Sequence, residues 1–326
     1  MIRVPANLIF NGDRPLSSLP HYDIFNSNFS EESCKAYTTW AKRRGMNPDL
    51  AYRKKQAEYF KDHDTKILKI ETYSRDRFNI RDGHHRVCIN TSNGIKSIQL
   101  EGTPDQEACW IKREERVNEI LTEILAIKGS IYQPVDTLLT PHRTERSSYD
   151  RLEAVTRALY HPSTYQIAEK GTCADQPLDV LDIGSNYGFF SNWLSRLGHN
   201  VVGIDPSPKV NFARRLANAY WLPTQFEEAT FQDYDKEADV MLDLSVCWHL
   251  MWSHKTMSEE DFVDKINKQC KQALIAEVKS THLQKYIELI TTRTHLTNVK
   301  TIGKVPYFQD PGGRELLMFG KGPNSL

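Results

Sequence analysis

The 326-residue chain lacks an excess of either charge: 42 Lys and Arg balance 42 Asp and Glu. That balance argues against a strongly basic nucleic-acid binder. No stretch approaches about 18 consecutive apolar residues, so no transmembrane helix is expected. The first residues, MIRVPANLIFNGDRPL, have too short an apolar run, and meet charge too soon, for a signal peptide. Long low-complexity runs are missing too. The six cysteines (Cys34, Cys88, Cys109, Cys173, Cys247 and Cys270) include no C-x-x-C pair and no His at zinc-like spacing. Reduced thiols in a cytoplasmic protein, and no metal site, are the expectation. What is present is a globular composition, 39% apolar, long enough for two domains.

Residues 178–205, LDVLDIGSNYGFFSNWLSRLGHNVVGID, organise the rest. Leu178, Val180, Leu181 and Ile183 form the apolar run of a buried parallel strand. Gly184 to Gly188 turn the chain. Phe189, Phe190, Trp193, Leu194 and Leu197 give the next segment a helical apolar face, and Gly198 ends it. Val201, Val202 and Ile204 make a second strand, closed by Asp205. Glycines admit close backbone approach to a ligand. Amides at a helix start receive polar or anionic groups. An acid closing the second strand can accept ribose hydroxyls. The order strand, glycine loop, helix, strand, acid therefore points to nucleoside binding.

A dinucleotide fingerprint needs a second glycine two positions after the first, where pyrophosphate approaches. Here Ser185 and Asn186 follow Gly184. The pattern is D-x-G-x-x-x-G, from Asp182 through Gly184 to Gly188, and it resembles the first motif of class I S-adenosylmethionine (SAM) methyltransferases. The resemblance covers about the last 175 residues. It implies an α/β, Rossmann-like sheet of seven strands with the last antiparallel. It implies that Asp182, Gly184, Ser185, Asn186 and Gly188 border the methionine part of SAM, and that Asp205 holds the ribose. Asp233, after a third strand expected at 224–231, is then a candidate for the adenine amino group; a surface carboxylate is the alternative. The fourth strand, DVMLDLSV, brings Ser245 to the cofactor site. His249 follows it and is the first choice for a general base, against a histidine packed beside Trp248 for structural reasons. His254 is a second candidate. Glu277 is an odd acid in the fifth strand. Arg314 is expected either to bind an anionic substrate or to be exposed.

The first 111 residues read as a smaller α+β domain. Residues 1–30 look extended and loop-rich, interrupted by Pro15 and Pro20. Helices are expected at about 30–44 and 49–62, then short strands to Leu100. Arg81-Asp82-Gly83-His84-His85-Arg86 is expected as a sharp turn dense in phosphate donors around one glycine; a solvated polar turn is the alternative. This element resembles that of the ParB/sulfiredoxin-like superfamily, in particular its free-serine-kinase-like members. The resemblance implies a nucleotide phosphate site at His84, His85 and Arg86, with Asp82 and His84 as catalytic candidates and ATP, ADP or CTP with Mg²⁺ as ligand. Kinase, nucleotide-binding module and degenerate scaffold remain open.

Residues 112–148 are expected as a connecting helix (112–128) and linker, in which Tyr132, Arg143 and Arg146 are lid candidates. Residues 149–326 are then the methyltransferase domain. The expected function is a SAM-dependent methyltransferase fused to a phosphate-handling domain, acting on a surface glycan or its phosphate. The rival is a methyltransferase of a small molecule or nucleic acid with a non-catalytic recognition module. SAM and S-adenosylhomocysteine (SAH) are the expected ligands. The oligomeric state is not legible.

Overall fold

The computed structural model describes residues 1–11, 14–16, 19–43, 47–62, 67–80, 82–127, 131, 134–135, 148–160, 177–307 and 310–321. The lid candidates Tyr132, Arg143 and Arg146 lie outside these residues, as do Arg81 and Cys173. The chain divides into two units, residues 1–115 and 116–326.

The first unit contains β1 (Ile2–Pro5), β2 (Ile9–Asn11), β3 (Arg14–Pro15), α1 (Pro20–Asn26), α2 (Glu31–Arg43), α3 (Leu50–Asp62), β4 (Leu68–Ser74), β5 (Arg77–Ile80), α4 (His84–Ser92) and β6 (Ser97–Glu101). A further helix, α5 (Pro104–Ala126), supplies residues to both units. The strands form one mixed sheet in the order β1-β6-β4-β5-β2-β3. Three elements depart from the sequence reading, each for a local reason. Pro20 starts a helix where a break was expected, because proline at the first helical position loses no intrahelical bond. Gly83, at φ +98°, caps α4, so His84, His85 and Arg86 open a helix where a turn between strands was expected. The connecting helix begins at Pro104, eight residues early, behind a capping box. There the Gln106 amide donates to Thr103 Oγ1 (3.3 Å) and the Thr103 amide to Gln106 Oε1 (2.9 Å). The β4–β5 turn places Arg75 and Asp76 at positive φ. Arg113 grips Asp76 through two bonds of 2.8 and 2.9 Å, with both side chains fully buried.

The second unit continues with α6 (Ser148–Tyr160), β7 (Asp179–Ile183), α7 (Phe189–Arg196), β8 (Asn200–Ile204), α8 (Lys209–Ala219), β9 (Gln225–Glu227), β10 (Ala238–Asp243), α9 (Glu259–Gln269), β11 (Cys270–Lys279), α10 (Leu283–Arg293), β12 (Asn298–Tyr307) and β13 (Asp310–Gly320). Its sheet runs β12-β13-β11-β10-β7-β8-β9. The pairs β11–β10, β10–β7, β7–β8 and β8–β9 are parallel; β13 is antiparallel to β11 and β12. This is the class I methyltransferase sheet. The third strand is shorter than expected, three residues, Gln225–Glu227.

Leu181, Ile183, Met241, Leu274 and Ala276 fill the core between sheet and helices with Phe262, Ile266, Tyr286 and Ile290. Each of the Leu, Ile, Met and Phe side chains contributes about 1.5–3 kcal/mol by leaving water. Another cluster joins Val117, Ile120 and Ile124 of α5 to Val210, Ala213 and Leu216 of α8. The chain winds from β7 through β8 to β9, then crosses to β10 on the other side of β7. The carboxyl ends of β7 and β10 therefore flank the topological switch point, where open α/β sheets take their ligands. Among the described residues, no helix is long and apolar enough to cross a membrane.

Candidate functional site

The glycine loop leaves the carboxyl end of β7. Its turn is closed by the backbone: the amides of Gly184 and Ser185 both donate to the Ile204 carbonyl (2.8 and 2.9 Å), and Gly188 N–H donates to the Ser185 carbonyl (2.8 Å). Gly184 and Gly188 adopt φ of +72° and +79°, the left-handed region that an L side chain resists. A Cβ on Gly184 would stand 2.5 Å from Val246, and one on Gly188 2.5 Å from Phe226. Both glycines thus let protein pack tightly behind the loop. Asn186 is also left-handed, at φ +53°. Its amide donates to Asp205 Oδ2 (3.0 Å), while Asp205 Oδ1 accepts from the Ser207 amide (2.8 Å). Asp205 therefore fixes the loop as well as closing β8. A carboxylate has about four acceptor sites, so two backbone bonds leave capacity for ribose hydroxyls.

Ser185 and Asn186 are buried, 4% and 3% exposed. Ser185 Oγ and Asn186 Oδ1 have no hydrogen-bond partner. Buried polar atoms are ordinarily satisfied, because leaving one unpaired costs about 1–3 kcal/mol. Two in one loop at the switch point fit a site for a polar ligand such as SAM. Below them Asp182 is buried and accepts from Ser191 Oγ (2.5 Å). Burial pushes its carboxyl up to about 7; the Ser191 bond opposes this, Asp205 adds to it, and Arg151 opposes it weakly. Asp233 is exposed and accepts from Thr230 Oγ1 (2.6 Å), in a turn after β9.

On the other side of the switch point, the turn after β10 carries Ser245, Trp248 and His249. Asp243 organises it: Oδ1 accepts from the Val246 and Cys247 amides (2.9 and 2.8 Å), and Oδ2 from the Tyr286 hydroxyl (2.8 Å). His249 begins a π-helical turn, His249–Ser253, a form that recurs at functional sites. Its ring centroid is 3.6 Å from that of Trp248 and 5.6 Å from that of His254. Trp248 is 5% exposed, and its indole N–H has no acceptor. Lys279 Nζ sits 4.2 Å from the Trp248 ring centre, the Arg314 guanidinium 5.9 Å, and the His282 ring 6.0 Å.

Arg314 is neither exposed nor open to solvent. It is 3% exposed and donates to Ser245 Oγ (2.6 Å) and Glu277 Oε1 (3.3 Å). Glu277 Oε2 accepts from Arg151 (2.9 Å). Sequence reasoning flagged Glu277 but missed Arg151 and Lys279. Nothing in α6 marks Arg151, since its partner lies 126 residues away.

In the first unit, Asp82 Oδ1 accepts from the Gly83 amide (2.7 Å), just before α4. A Cβ on Gly83 would meet Arg86 Nη2 at 3.3 Å, so the Arg86 side chain folds back to the helix start. The first amides of a helix have no intrahelical acceptor. Asp82, His84 and Arg86 thus gather at the α4 N-terminus. Burial lowers the His84 pKa, against Asp82 and Glu71. His85 packs elsewhere: its ring is 4.8 Å from His21 and 6.4 Å from Phe25. Burial, then Arg53 and His84, push His85 down to about 4.

Residues 180–273 match the methyltransferase domain family. No curated protein matches the chain. Among solved structures, the bifunctional kinase–methyltransferase WbdD is 21% identical, with a TM-score of 0.47. That match covers 63% of this chain and 46% of WbdD, so the chain spans under half of that relative's length. Magnesium protoporphyrin IX methyltransferase from Synechocystis PCC 6803, solved with SAM, is 15% identical over 45% of this chain and 71% of its own, with a TM-score of 0.37. Burkholderia thailandensis 1,6-didemethyltoxoflavin-N1-methyltransferase is 18% identical over 44% and 71%, with a TM-score of 0.38. The sheet order, with the family match over residues 180–273, gives the second unit the class I methyltransferase fold.

Proposed function

We propose that the chain is a SAM-dependent methyltransferase whose first unit handles a nucleotide phosphate, and that its acceptor is a glycan or the phosphate on one. The observation that carries the first part is the pair of buried, unpartnered atoms, Ser185 Oγ and Asn186 Oδ1, in a glycine loop pinned by Asp205. Asp182, Gly184, Ser185, Asn186 and Gly188 would hold the methionine part, Asp205 the ribose, Asp233 the adenine, and Ser245 the far wall. When bound, SAM supplies an electrophilic methyl group on sulfonium. The protein's own work is to align the acceptor, exclude water and remove a proton where one must leave. His249, just beyond β10, would take that proton if the acceptor is a hydroxyl. An acceptor oxygen that is already anionic needs no base. Lys279 over the Trp248 ring, with the buried Trp248 N–H donor, supports that case.

For the first unit, the α4 N-terminus with Arg86 and His84 suits phosphate, with ATP, ADP or CTP and Mg²⁺ as the ligand. Kinase activity there is the stronger form of the proposal. One observation favours a non-catalytic module: His85 is turned into the His21–Phe25 cluster, away from Arg86. A thermal-shift panel of SAM, SAH, ATP, ADP and CTP, each with and without Mg²⁺, tests both units. SAM and SAH should raise the melting temperature, and at least one nucleotide should do so separately. No shift with any nucleotide would remove the phosphate-handling part, and no shift with SAM or SAH the methyltransferase part.

A further inference from the structure

Ser245 carries φ +76° two residues beyond the end of β10, at the switch point. The left-handed region disfavours an L residue by about tenfold or more in population. Such a residue persists only where its surroundings hold it, and such residues gather at functional sites. The holding groups are buried and specific. Arg314 Nη1 donates to Ser245 Oγ at 2.6 Å, and Ser245 Oγ donates to the Glu277 carbonyl at 3.4 Å. Glu277 in turn fixes Arg314 with one carboxylate oxygen and Arg151 with the other. Arg151 is tied to Ser148 Oγ (2.8 Å) and lies 5.3 Å from the Phe190 ring centre, in the helix that follows the glycine loop.

What Ser245 holds in place lies on both sides of it in the site. Its neighbour Val246 is the residue that fills the space behind Gly184, where a Cβ would come within 2.5 Å. Three residues on, Trp248 packs against the tilted His249 ring and lies under Lys279. The Asp243 carboxylate pins the middle of this turn by two amides. The Arg314–Ser245 bond pins its start.

We propose that Ser245, held left-handed by Arg314 and Glu277, is a positioning residue that registers the acceptor-side turn against the cofactor loop. The proposal rests on the methyltransferase reading of the site. Its core is a conformational statement about residue 245, which can be tested without cofactor or acceptor.

Two substitutions in the full chain separate conformation from contact. Ser245→Ala loses the hydroxyl and retains the resistance to positive φ. Ser245→Gly loses the same hydroxyl but adopts +76° freely. The readout is the indole N–H resonance of Trp248, assigned by its disappearance in Trp248→Phe, together with acrylamide quenching of the Trp248 fluorescence. Ser245→Ala should displace the resonance and raise the quenching constant about twofold or more. Ser245→Gly should leave both near wild type, although both variants lose the same hydrogen bond. With any acceptor the enzyme methylates, Ala should lower kcat about tenfold and Gly should recover most of it. Equal disturbance in the two variants, or none in either, would overturn the proposal. A chain that binds no SAM while the Trp248 signals behave as expected would instead sink the methyltransferase reading and leave the conformational claim standing.

Discussion

Protonation of Asp182 should make SAM affinity pH-dependent near neutrality. The carboxyl is buried behind the glycine loop and burial pushes it up to about 7. SAM is cationic at sulfur and at its amino group, so it favours the ionised carboxylate. If binding selects that form, the ionised share is about one in ten at pH 6 and about nine in ten at pH 8. Affinity should then be about tenfold weaker at pH 6 than at pH 8. The stability of the free protein should move the opposite way. A carboxyl whose folded pKa is raised contributes stability that is full below about 3.8 and lost as pH rises through about 7. The 3-unit difference corresponds to about 4 kcal/mol across that window. Asp182→Asn cannot ionise, so it should flatten both profiles and bind SAM about tenfold more weakly at pH 8. Calorimetry from pH 6 to 8 on both proteins checks this. Equal slopes in wild type and Asp182→Asn would refute the reasoning, because the titrating group would then be SAM itself or another residue.

Gly188→Ala should destabilise the second unit by about 2–5 kcal/mol, combining a left-handed alanine with a Cβ 2.5 Å from Phe226 and 3.1 Å from Ala213; denaturant unfolding within about 1 kcal/mol of wild type would contradict it. His249→Ala should cut turnover by about 10²–10⁴ on a hydroxyl acceptor while leaving SAM affinity intact; steady-state kinetics within a few-fold of wild type would remove the base role. Arg86→Ala should weaken nucleotide binding in the full chain and leave SAM affinity unchanged, as sites without shared partners behave independently; competition binding with ATP, ADP and CTP measures it.

The second unit was legible because its signals are local. Apolar runs at Val180–Ile183 and Val201–Ile204 made strands, and Gly184 and Gly188 turned the chain where a helix begins. The first unit hid its key element. Gly83 reads as a turn glycine, yet its left-handed φ serves as the N-cap of α4, and a nine-residue helix with three β-branched residues carries little periodicity of its own. Site groups that depend on distant partners were not legible either. Glu277 stood out as an acid among apolar residues, but its meaning lies in Arg151 and Arg314, brought to it by α6 and β13. Asp205 was expected to face ribose. Its bond to the Asn186 amide, which ties the second strand to the glycine loop, appears only in three dimensions.

The central claim is that the glycine loop and Asp205 form a SAM site. Calorimetric titration of SAM into the full chain and into Asp205→Ala tests it most directly. Wild type should bind SAM and SAH, and the variant should bind SAM more weakly by about 1.5–3 kcal/mol, the scale of hydrogen bonds lost from a charged group. Unchanged affinity in a folded Asp205→Ala protein, or no heat of binding in wild type, would contradict it.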